Sequence, residues 1–420
     1  MTLRRVMLVV VVVLLVLCSA LAGVVAADWP YLRRVIAVAG MADAGEWPDS
    51  FYTPVVRIDG GGGAPPFPRG GDSIDPAALE AAARWAGEHG TVALLVLHRG
   101  RLVLERYWDG QAPDAPFSGR AMSRSLLGLA YGAAIERGLL ALDDPAGKWL
   151  EEWRADPRGA ITVRQLMQNV SGLEEAPLAS PLPPAGAGAL QRLVAIARTW
   201  ADRNARLSLG NDFAGAALRF PLVHAPGTRF AHSNVNSQLL GLILERVTGM
   251  SYERWFAEVV WEPLGAGVGE FYMDRESGMP ATYCCFRAVP RDWLRLGALL
   301  AGDGALDGRQ VLPRGWVQRL ASDTSNVNPR YGLQVWSGRA ARGLREYQPG
   351  SGFGVRHGED FLADDAIWME GGGGRSIWAF PSEALVIVRL GRGAPGWDGS
   401  VLPNTLLRGL RGAVQPGAGR

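Results

Sequence analysis

The pattern of apolar and polar positions predicts strands near both ends of the chain and helices between them. Thr91–Leu97 and Leu102–Trp108 are apolar segments joined by a polar turn, a pattern that predicts a β-hairpin. Met122–Ile135 is apolar nearly all round, which is typical of a buried helix. Further helices are predicted at 76–87, 163–168, 237–248, 291–300 and 402–414, and further strands at 331–336, 366–369, 377–380 and 385–390. This order indicates a sheet domain interrupted by a helical part.

An apolar run near the N-terminus predicts a targeting segment. Arg4 and Arg5 precede an almost unbroken apolar stretch from Val6 to Ala27, which is long enough to span a bilayer. The basic flank predicts that the N-terminus lies in the cytoplasm and the rest of the chain outside it. Residues 1–27 are therefore predicted to be a signal anchor in the inner membrane, with the domain in the periplasm or otherwise outside the cytoplasm. The alternative is a signal peptide that is cleaved after its small final residues, which would give a secreted protein.

Residues 28–75 are predicted to be a flexible spacer rich in glycine and proline. Gly60–Gly63 and Gly70-Gly71 favour flexibility, and the prolines at 65, 66 and 68 break regular elements. Order is expected to begin at Asp75-Pro76, where a cap residue followed by proline is typical of a helix start.

Composition narrows the class of protein. The chain has 420 residues, 48% of them hydrophobic, and a formal net charge of +2, as expected for a folded globular protein with a large core. Basic residues do not cluster into a run, so nucleic acid is not an expected partner. Of the three cysteines, Cys284 and Cys285 are adjacent, which argues against an ordinary disulfide, and we expect two small buried side chains.

No metal or other cofactor is expected from the sequence. Cysteine and histidine residues do not show the spacing of a zinc site. His357, Asp364 and Asp365 lie near the predicted last strands, and we interpret them as solvated loop residues.

A series of short motifs runs in a fixed order through the middle and the end of the chain. They are Ala121–Ser125, Gly138-Leu139, Leu142–Pro145, Ser171–Leu173, Pro226–Phe230, Ser233-Asn234, Leu240-Gly241, Thr248-Gly249, Pro263–Gly265, Arg291-Asp292 and the glycines before Ile377. With these motifs the chain resembles the serine β-lactamase-related, penicillin-binding-type family over roughly residues 85–395. Within that family it is most similar to amide hydrolases of the 6-aminohexanoate-dimer hydrolase kind.

The resemblance implies a β-lactamase/transpeptidase-like fold of the α/β (α+β) class. In that fold an antiparallel sheet is flanked by helices and carries a helical subdomain, here preceded by the N-terminal membrane segment. The domain is then expected to cover residues 76–414. Its sheet part would comprise about 76–120 and 300–414, and its helical part about 121–299.

The first motif of the family, Ser-x-x-Lys, has lost both of its reactive residues. Residues three apart on a helix are neighbours, so the family's lysine can deprotonate the serine. Here the two positions hold Ala121 and Arg124, and arginine cannot act as a base at neutral pH. The only lysine is Lys148, with Pro145 three residues before it, so no Ser-x-x-Lys exists elsewhere in the chain.

The other two motifs of the family also depart from the pattern. Tyr-x-Asn is replaced by His232 and Asn234, and His-x-Gly by Gly372 and Gly374. Arg375 follows, at a position where the resemblance implies glutamine. Backbone N–H groups at Ala121 and near Arg375 or Ser376 could still form an oxyanion hole. Ser118, Ser123 and Ser125 are interpreted as ordinary hydroxyls, not displaced nucleophiles.

The favoured hypothesis is a pseudoenzyme of the cell envelope that keeps a ligand-binding cleft. Arg124, His232, Asn234 and Arg375 would bind a small ligand that contains a carboxylate or an amide. Alternatively, both arginines make structural contacts.

Two hypotheses from other classes stay open. In the first, the protein is an active amide or ester hydrolase in which His232 activates water. In the second, it is a membrane-tethered interaction protein, for which its 15 tryptophans could supply binding anchors.

Overall fold

The computed structural model describes residues 51–174 and 187–410, together with residues 25–39, Pro48 and a few positions between 7 and 23. Most of the predicted targeting segment 1–27 and the predicted helical residues 411–414 lie outside these residues. None of the described helices is both long and apolar enough to cross a membrane.

Most strands of the described chain lie near its two ends, and a long series of helices lies between them. The helices are α1 Trp29–Ala39, α2 Pro76–Glu88, α3 Ser123–Glu136, α4 Val163–Met167, α5 Ala189–Ala201, α6 Arg203–Leu209, α7 Phe213–Leu218, α8 Asn234–Thr248, α9 Tyr252–Phe256, α10 Pro290–Ala301, α11 Trp316–Ser322 and α12 Val401–Arg408. The strands are β1 Val55–Asp59, β2 Thr91–His98, β3 Arg101–Tyr107, β4 Phe117–Ser118, β5 Val268–Tyr272, β6 Arg287–Ala288, β7 Ala305–Leu306, β8 Arg309–Gln310, β9 Trp336–Ser337, β10 Gly343–Glu346, β11 Gly354–His357, β12 Ile367–Gly371, β13 Arg375–Phe380 and β14 Leu385–Gly391.

A six-stranded antiparallel sheet with the order β3-β2-β14-β13-β12-β9 forms the centre of the molecule. The first hairpin pairs with the last strand, with Val96 opposite Ile387, so both ends of the domain build one sheet. Helix α10 packs on β13 and β14, and α2 and α12 pack together with α2 against β2. Every residue of β2, β13 and β14 is buried, which explains the apolar runs in these strands, although Arg375 of β13 and Arg389 of β14 are buried with them. The predicted antiparallel sheet flanked by helices is confirmed.

The predicted spacer contains ordered elements, so that prediction needs correction. Helix α1 packs against α5 and α6, and β1 pairs with β5 in a second sheet with Val56 opposite Phe271. Local composition could not show this, because β1 pairs with a strand far away in the sequence.

Three smaller predictions are also wrong. Of the strand predicted at 331–336, only Trp336 lies in a strand, the two-residue β9. Cys284 and Cys285 form a disulfide, with their Cα atoms 3.7 Å apart. A bond between neighbouring cysteines closes a small ring and needs no approach of distant backbone, so the usual Cα spacing did not apply. His357 ends β11 and is buried, because the hairpin β10–β11 folds it towards Phe361.

Candidate active-site cleft

The residue at the predicted nucleophile position lies in a tightly held turn. A 3₁₀ turn over Arg120–Met122 joins β4 to α3, and Arg120 has a left-handed φ of 50°. Its backbone N–H donates to Ser118 Oγ at 3.2 Å, and its carbonyl oxygen accepts from the N–H of Cys285 at 3.0 Å. Ala121, partly buried, therefore presents a methyl group where the motif requires a hydroxyl.

Arg124 projects from the first turn of α3 and is only 2% exposed. Its Nη1 donates to the carbonyl oxygen of Ser233 at 3.2 Å, and its Nη2 donates to Asn234 Oδ1 at 2.8 Å. Within the described part of the chain, Nε has no hydrogen-bond partner and no carboxylate lies within ion-pair distance. Burial lowers the pKa of the guanidinium, and the neighbouring titratable groups that oppose this are tyrosines, chiefly Tyr331. Arg124 is thus a buried cation without a counter-ion.

Asn234 reaches Arg124 because it begins helix α8. Ser233 caps that helix, its Oγ accepting from the N–H of Val235 at 3.2 Å. Behind it, Asn169 Oδ1 accepts from Asn236 Nδ2 at 2.9 Å, and Ser171 Oγ donates to Asn236 Oδ1 at 2.7 Å. This polar network fixes the start of α8 against the loop after α4.

His232 is enclosed by aromatic side chains. Its ring stacks on Tyr347 at 5.1 Å and meets the rings of Tyr331 and Trp336 at 5.6 and 5.7 Å. Burial, reinforced by the positive charge of Arg124, holds the pKa of His232 well below its usual range. The imidazole is therefore neutral at physiological pH, with Nδ1 buried and without a hydrogen-bond partner among the described residues.

The glycine run approaches the turn at Ala121 through backbone contacts. A Cβ added at Gly371 would clash with the carbonyl oxygen of Gly119 and lie 3.2 Å from the N–H nitrogen of Ala121. The strand edge at the end of β12 therefore touches the nucleophile-position turn directly. Gly372 is exposed beside it and Gly374 has a left-handed φ of 72°.

Arg375 makes structural contacts at this edge. Its Nη1 donates to the carbonyl oxygen of Gly372 at 2.5 Å, and its guanidinium carbon lies 5.1 Å from the ring centre of Phe117. Because Arg375 is buried and holds the glycine turn, these contacts match the structural alternative for this arginine.

The nearby serines all hold backbone in place. Ser123 Oγ donates to the carbonyl oxygen of Arg120 at 2.8 Å and accepts from the N–H of Phe286 at 2.9 Å. Ser125 Oγ donates to the carbonyl oxygen of Gln334 at 2.7 Å. Both serines are buried, as is Ser118, so none presents a free hydroxyl to the cleft.

The structure brings Ala121, Arg124, Asn234 and the glycine run together, and it adds two residues that sequence reasoning missed. Tyr331 faces Arg124. Burial raises the pKa of the Tyr331 phenol, and the positive charge of Arg124 partly opposes this rise. Asn169 supports Ser233 and Asn236, and the motif beginning at Ser171 was the signal that pointed to this loop. Across the described ranges, no group of His, Cys, Asp and Glu residues could hold a metal ion.

Comparison with known proteins identifies a family and a fold. The family model described as Beta-lactamase matches residues 77–406. The chain is 25% identical over 236 residues to the 6-aminohexanoate-dimer hydrolase of Paenarthrobacter ureafaciens, which covers 56% of this chain and 58% of that protein. It is 26% identical over 183 residues to Protein flp of Staphylococcus aureus strain N315, covering 41% of this chain and 33% of that protein. The chain thus matches between a third and three fifths of the length of these two curated relatives.

Solved structures share the fold. A Bacillus anthracis protein named for 6-aminohexanoate-dimer hydrolase superposes with a TM-score of 0.64 at 19% identity, covering 86% of this chain and 91% of that one. The octameric penicillin-binding protein homologue from Pyrococcus abyssi superposes with a TM-score of 0.56 at 16% identity, covering 80% and 77%.

Proposed function

The chain belongs to the Beta-lactamase family, and from this membership we propose that it is a non-hydrolytic member whose cleft binds a small carboxylate ligand. Its domain would keep the scaffold of a serine hydrolase without forming an acyl-enzyme. The observation that carries the proposal is Arg124, a buried guanidinium with no counter-ion among the described residues, placed beside Ala121 at the start of α3.

The side chains near the turn support the proposed loss of acyl-enzyme chemistry, because none of them offers a free nucleophile. Ala121 has no hydroxyl, and Ser123 and Ser125 use theirs in hydrogen bonds to backbone groups. An arginine at the lysine position stays protonated and cannot accept a proton from a nucleophile. Backbone donors near the turn would then polarise a ligand without attacking it.

The affinity for a carboxylate is supported by charge and geometry. A buried charge that is not paired costs free energy, which an incoming carboxylate would offset. Arg124 keeps N–H donors beyond the two bonds to Ser233 and Asn234, and guanidinium–carboxylate bonds are the strong, charge-assisted kind. The N-terminus of α3 adds a favourable dipole for an anion.

We also propose an envelope location, because the basic flank and apolar run of residues 4–27 have the features of a signal anchor or signal peptide. Protease protection in intact spheroplasts tests this. A domain degraded only after lysis would place it in the cytoplasm and contradict the proposal.

The first experiment measures the intact mass of the purified protein after incubation with a fluorophosphonate and with a β-lactam. We expect no adduct while the protein remains folded by circular dichroism. An adduct mapped to any serine would identify a displaced nucleophile and refute the loss of acyl-enzyme chemistry.

A second experiment tests the ligand class by calorimetry with 6-aminohexanoate and with 6-aminohexanamide, in which an uncharged amide replaces the carboxylate. The probe is chosen from the name of a relative, and only the acid carries the carboxylate. We expect binding of the acid but not of the amide, and loss of binding in Arg124→Met. Arg137→Met, in which the lost arginine lies at the exposed end of the same helix and pairs with Glu258, is the matched control and should bind normally. Equal binding of acid and amide would contradict a carboxylate site.

Hydrolysis would favour the alternative in which His232 activates water. Its depressed pKa makes the imidazole a weak base, and its ring is enclosed by Tyr347, Tyr331 and Trp336. Turnover of an amide or ester substrate that disappears in His232→Ala would establish that alternative and overturn the non-hydrolytic proposal.

A further inference from the structure

Helices α1 and α5 leave apolar side chains uncovered on the outer face of the molecule. Leu190, Leu193 and Val194 form a stripe along α5 and are 74%, 64% and 42% exposed. Trp29 and Ile36, seven residues apart on one side of α1, are also exposed. We call the surface formed by these five side chains the α1–α5 face. Uncovered apolar stripes on neighbouring helices are typical of an interaction surface.

The opposite faces of the same helices already make the intramolecular contacts. Tyr31, Val35 and Val38 of α1 pack with Ala205 and Leu209 of α6 in a small core. The hydroxyl of Tyr31 donates to the carbonyl oxygen of Thr199 in α5 at 2.6 Å, which fixes the two helices together. The α1–α5 face is therefore held on the outside by a packed support.

The charged residues within the two helices themselves are all basic. Neither α1 nor α5 contains an acidic residue, while Arg33, Arg192 and Arg198 are exposed on them. The acidic residue just before α1, Asp28, is neutralised by Arg206 at 2.7 Å and accepts from the indole of Trp200 at 2.9 Å. Asp202, directly after α5, caps α6 by accepting from the N–H of Ala205 at 2.8 Å. Apolar side chains bordered by arginines are typical of helices that lie in the interface of an anionic bilayer.

The position of the face in the chain identifies its occupant. The apolar run of residues 6–27 ends directly before α1, and at about 1.5 Å per residue a helix of that length crosses a hydrocarbon core of about 30 Å. Trp29 would then lie at the level of the lipid headgroups, where tryptophan is enriched. Because α1 is fixed to α5, the stripe on α5 is held within reach of the same bilayer surface.

We propose that the α1–α5 face rests on the surface of an anionic lipid bilayer and seats the domain against the membrane. Its arginines meet the lipid phosphates, and Leu190, Leu193 and Val194 enter the boundary between headgroups and acyl chains. The arrangement would fix the orientation of the cleft relative to the membrane, in addition to any tether that the N-terminal run provides.

The test uses the full chain in nanodiscs of phosphatidylcholine and phosphatidylglycerol. In a Cys18→Ser background, Leu193→Cys is labelled with an environment-sensitive fluorophore without reductant, so that the Cys284–Cys285 disulfide does not react. The control label is at Arg84→Cys, an exposed position on α2, which packs on the central sheet with α12 and away from α5. We expect nitroxide lipids to quench the label at position 193 severalfold and aqueous iodide to quench the label at position 84.

Equal iodide quenching at both positions would overturn the proposal. A blue-shifted but lipid-insensitive label at position 193, together with a dimer by mass photometry, would assign the face to a second copy and also overturn it. The double variant Leu190→Glu with Val194→Glu tests whether the α1–α5 face itself contacts the bilayer, or whether the N-terminal segment merely keeps the domain near it. The lipid quenching should fall to the level at position 84 with an unchanged melting temperature, whereas persistent quenching would contradict a role for the face.

Discussion

The side chain of Arg124 determines both the charge of the site and its ability to transfer a proton. In a hydrolase of this family the same position would hold a lysine that exchanges a proton with the nucleophile, as the Ser-x-x-Lys motif implies. The guanidinium keeps the positive charge but spreads it over a planar group that donates and does not accept. With Ala121 one turn away, the helix start carries a buried positive charge and no hydroxyl at the nucleophile position.

Substitution of Ser123 tests whether the serines of this turn are structural. Ser123→Ala removes one bond to the carbonyl of Arg120 and leaves the N–H of Phe286 buried without its acceptor. We expect the free energy of unfolding to fall by about 2 kcal/mol, measured by urea denaturation. Ser125→Ala, which loses a single donor, is the comparison and should cost about 1 kcal/mol. Unchanged stability of Ser123→Ala would show that its hydroxyl is free for another role.

The buried His357 predicts a loss of stability on acidification. Burial, with the positive charge of Arg345, lowers its pKa to about 4, whereas an unfolded histidine titrates near 6.5. Its contribution to stability is present above pH 6.5 and is lost as the pH falls towards 4, because the unfolded state then binds a proton that the folded state does not. His357→Gln should therefore reduce the loss of unfolding free energy between pH 7 and pH 4 by about 3 kcal/mol.

The control for this experiment is His224→Gln, at an exposed position. Unfolding free energies of the three proteins are compared at pH 7 and pH 4 by chemical denaturation. Parallel pH dependence in the wild type and in His357→Gln would show that His357 is not the neutral, buried group of the structure.

Single residues could be predicted from the sequence where a motif fixes their position. The ordered series of motifs located Ala121, Arg124, His232 and Asn234 without any coordinates. Asn169 and Tyr331 could not be found in this way, because their distance to Arg124 depends on how a loop and an irregular segment pack. The sequence predicted Arg375 as a ligand-binding residue, but the direction of its side chain towards Gly372 and Phe117 is decided by packing.

At the scale of elements, the end of β12 depends on the absence of a side chain. Gly371→Ala would drive a methyl group into the carbonyl oxygen of Gly119, which is backbone and cannot rotate away. We expect β12 to shift away from the turn at Ala121, with a loss of roughly 1–3 kcal/mol of stability and at least tenfold weaker binding of 6-aminohexanoate.

The neighbouring glycine gives a matched control. A Cβ at Gly372 would meet no atom within 4 Å, so Gly372→Ala should leave both the melting temperature and the affinity close to those of the wild type. If both variants behave alike in calorimetry and thermal denaturation, close approach of this strand to the turn does not shape the cleft.

Elements that contain a long apolar run could be predicted from the sequence, and elements of only two residues could not. Helix α3 and strands β2 and β14 follow their apolar runs within a residue or two. The two-residue strands β4, β6 and β9 are too short to show a period, and they exist because neighbouring strands supply partners. The five-residue strand β1 was also missed, because it is stabilised by pairing with β5, which comes from the middle of the chain.

Over the whole molecule, residues 25–39 and 51–74 pack as part of the folded domain and do not form an independent spacer. Arg34 of α1 is buried and donates to the carbonyl oxygens of Thr53 and Asp274, both at 2.9 Å, and to that of Leu209 at 3.2 Å. One side chain therefore joins the N-terminal helix, the segment before β1, the end of α6 and the end of β5. Such connections fix α1 to the rest of the domain, so the orientation of the α1–α5 face on a bilayer would also set the orientation of the site.

Arg34→Met tests this coupling at the scale of the molecule. The substitution keeps the aliphatic length but leaves several buried carbonyl oxygens without donors, so the free energy of unfolding should fall by roughly 2–4 kcal/mol. Arg33→Met, at the exposed neighbouring position, is the matched control and should change it by less than about 0.5 kcal/mol. Denaturation followed both by tryptophan fluorescence and by far-ultraviolet circular dichroism should show one shifted transition, because α1 and β1 unfold with the sheets they complete. A spacer that is independent of the domain would make the two variants indistinguishable, and α1 could not then hold the domain in a fixed orientation on a bilayer.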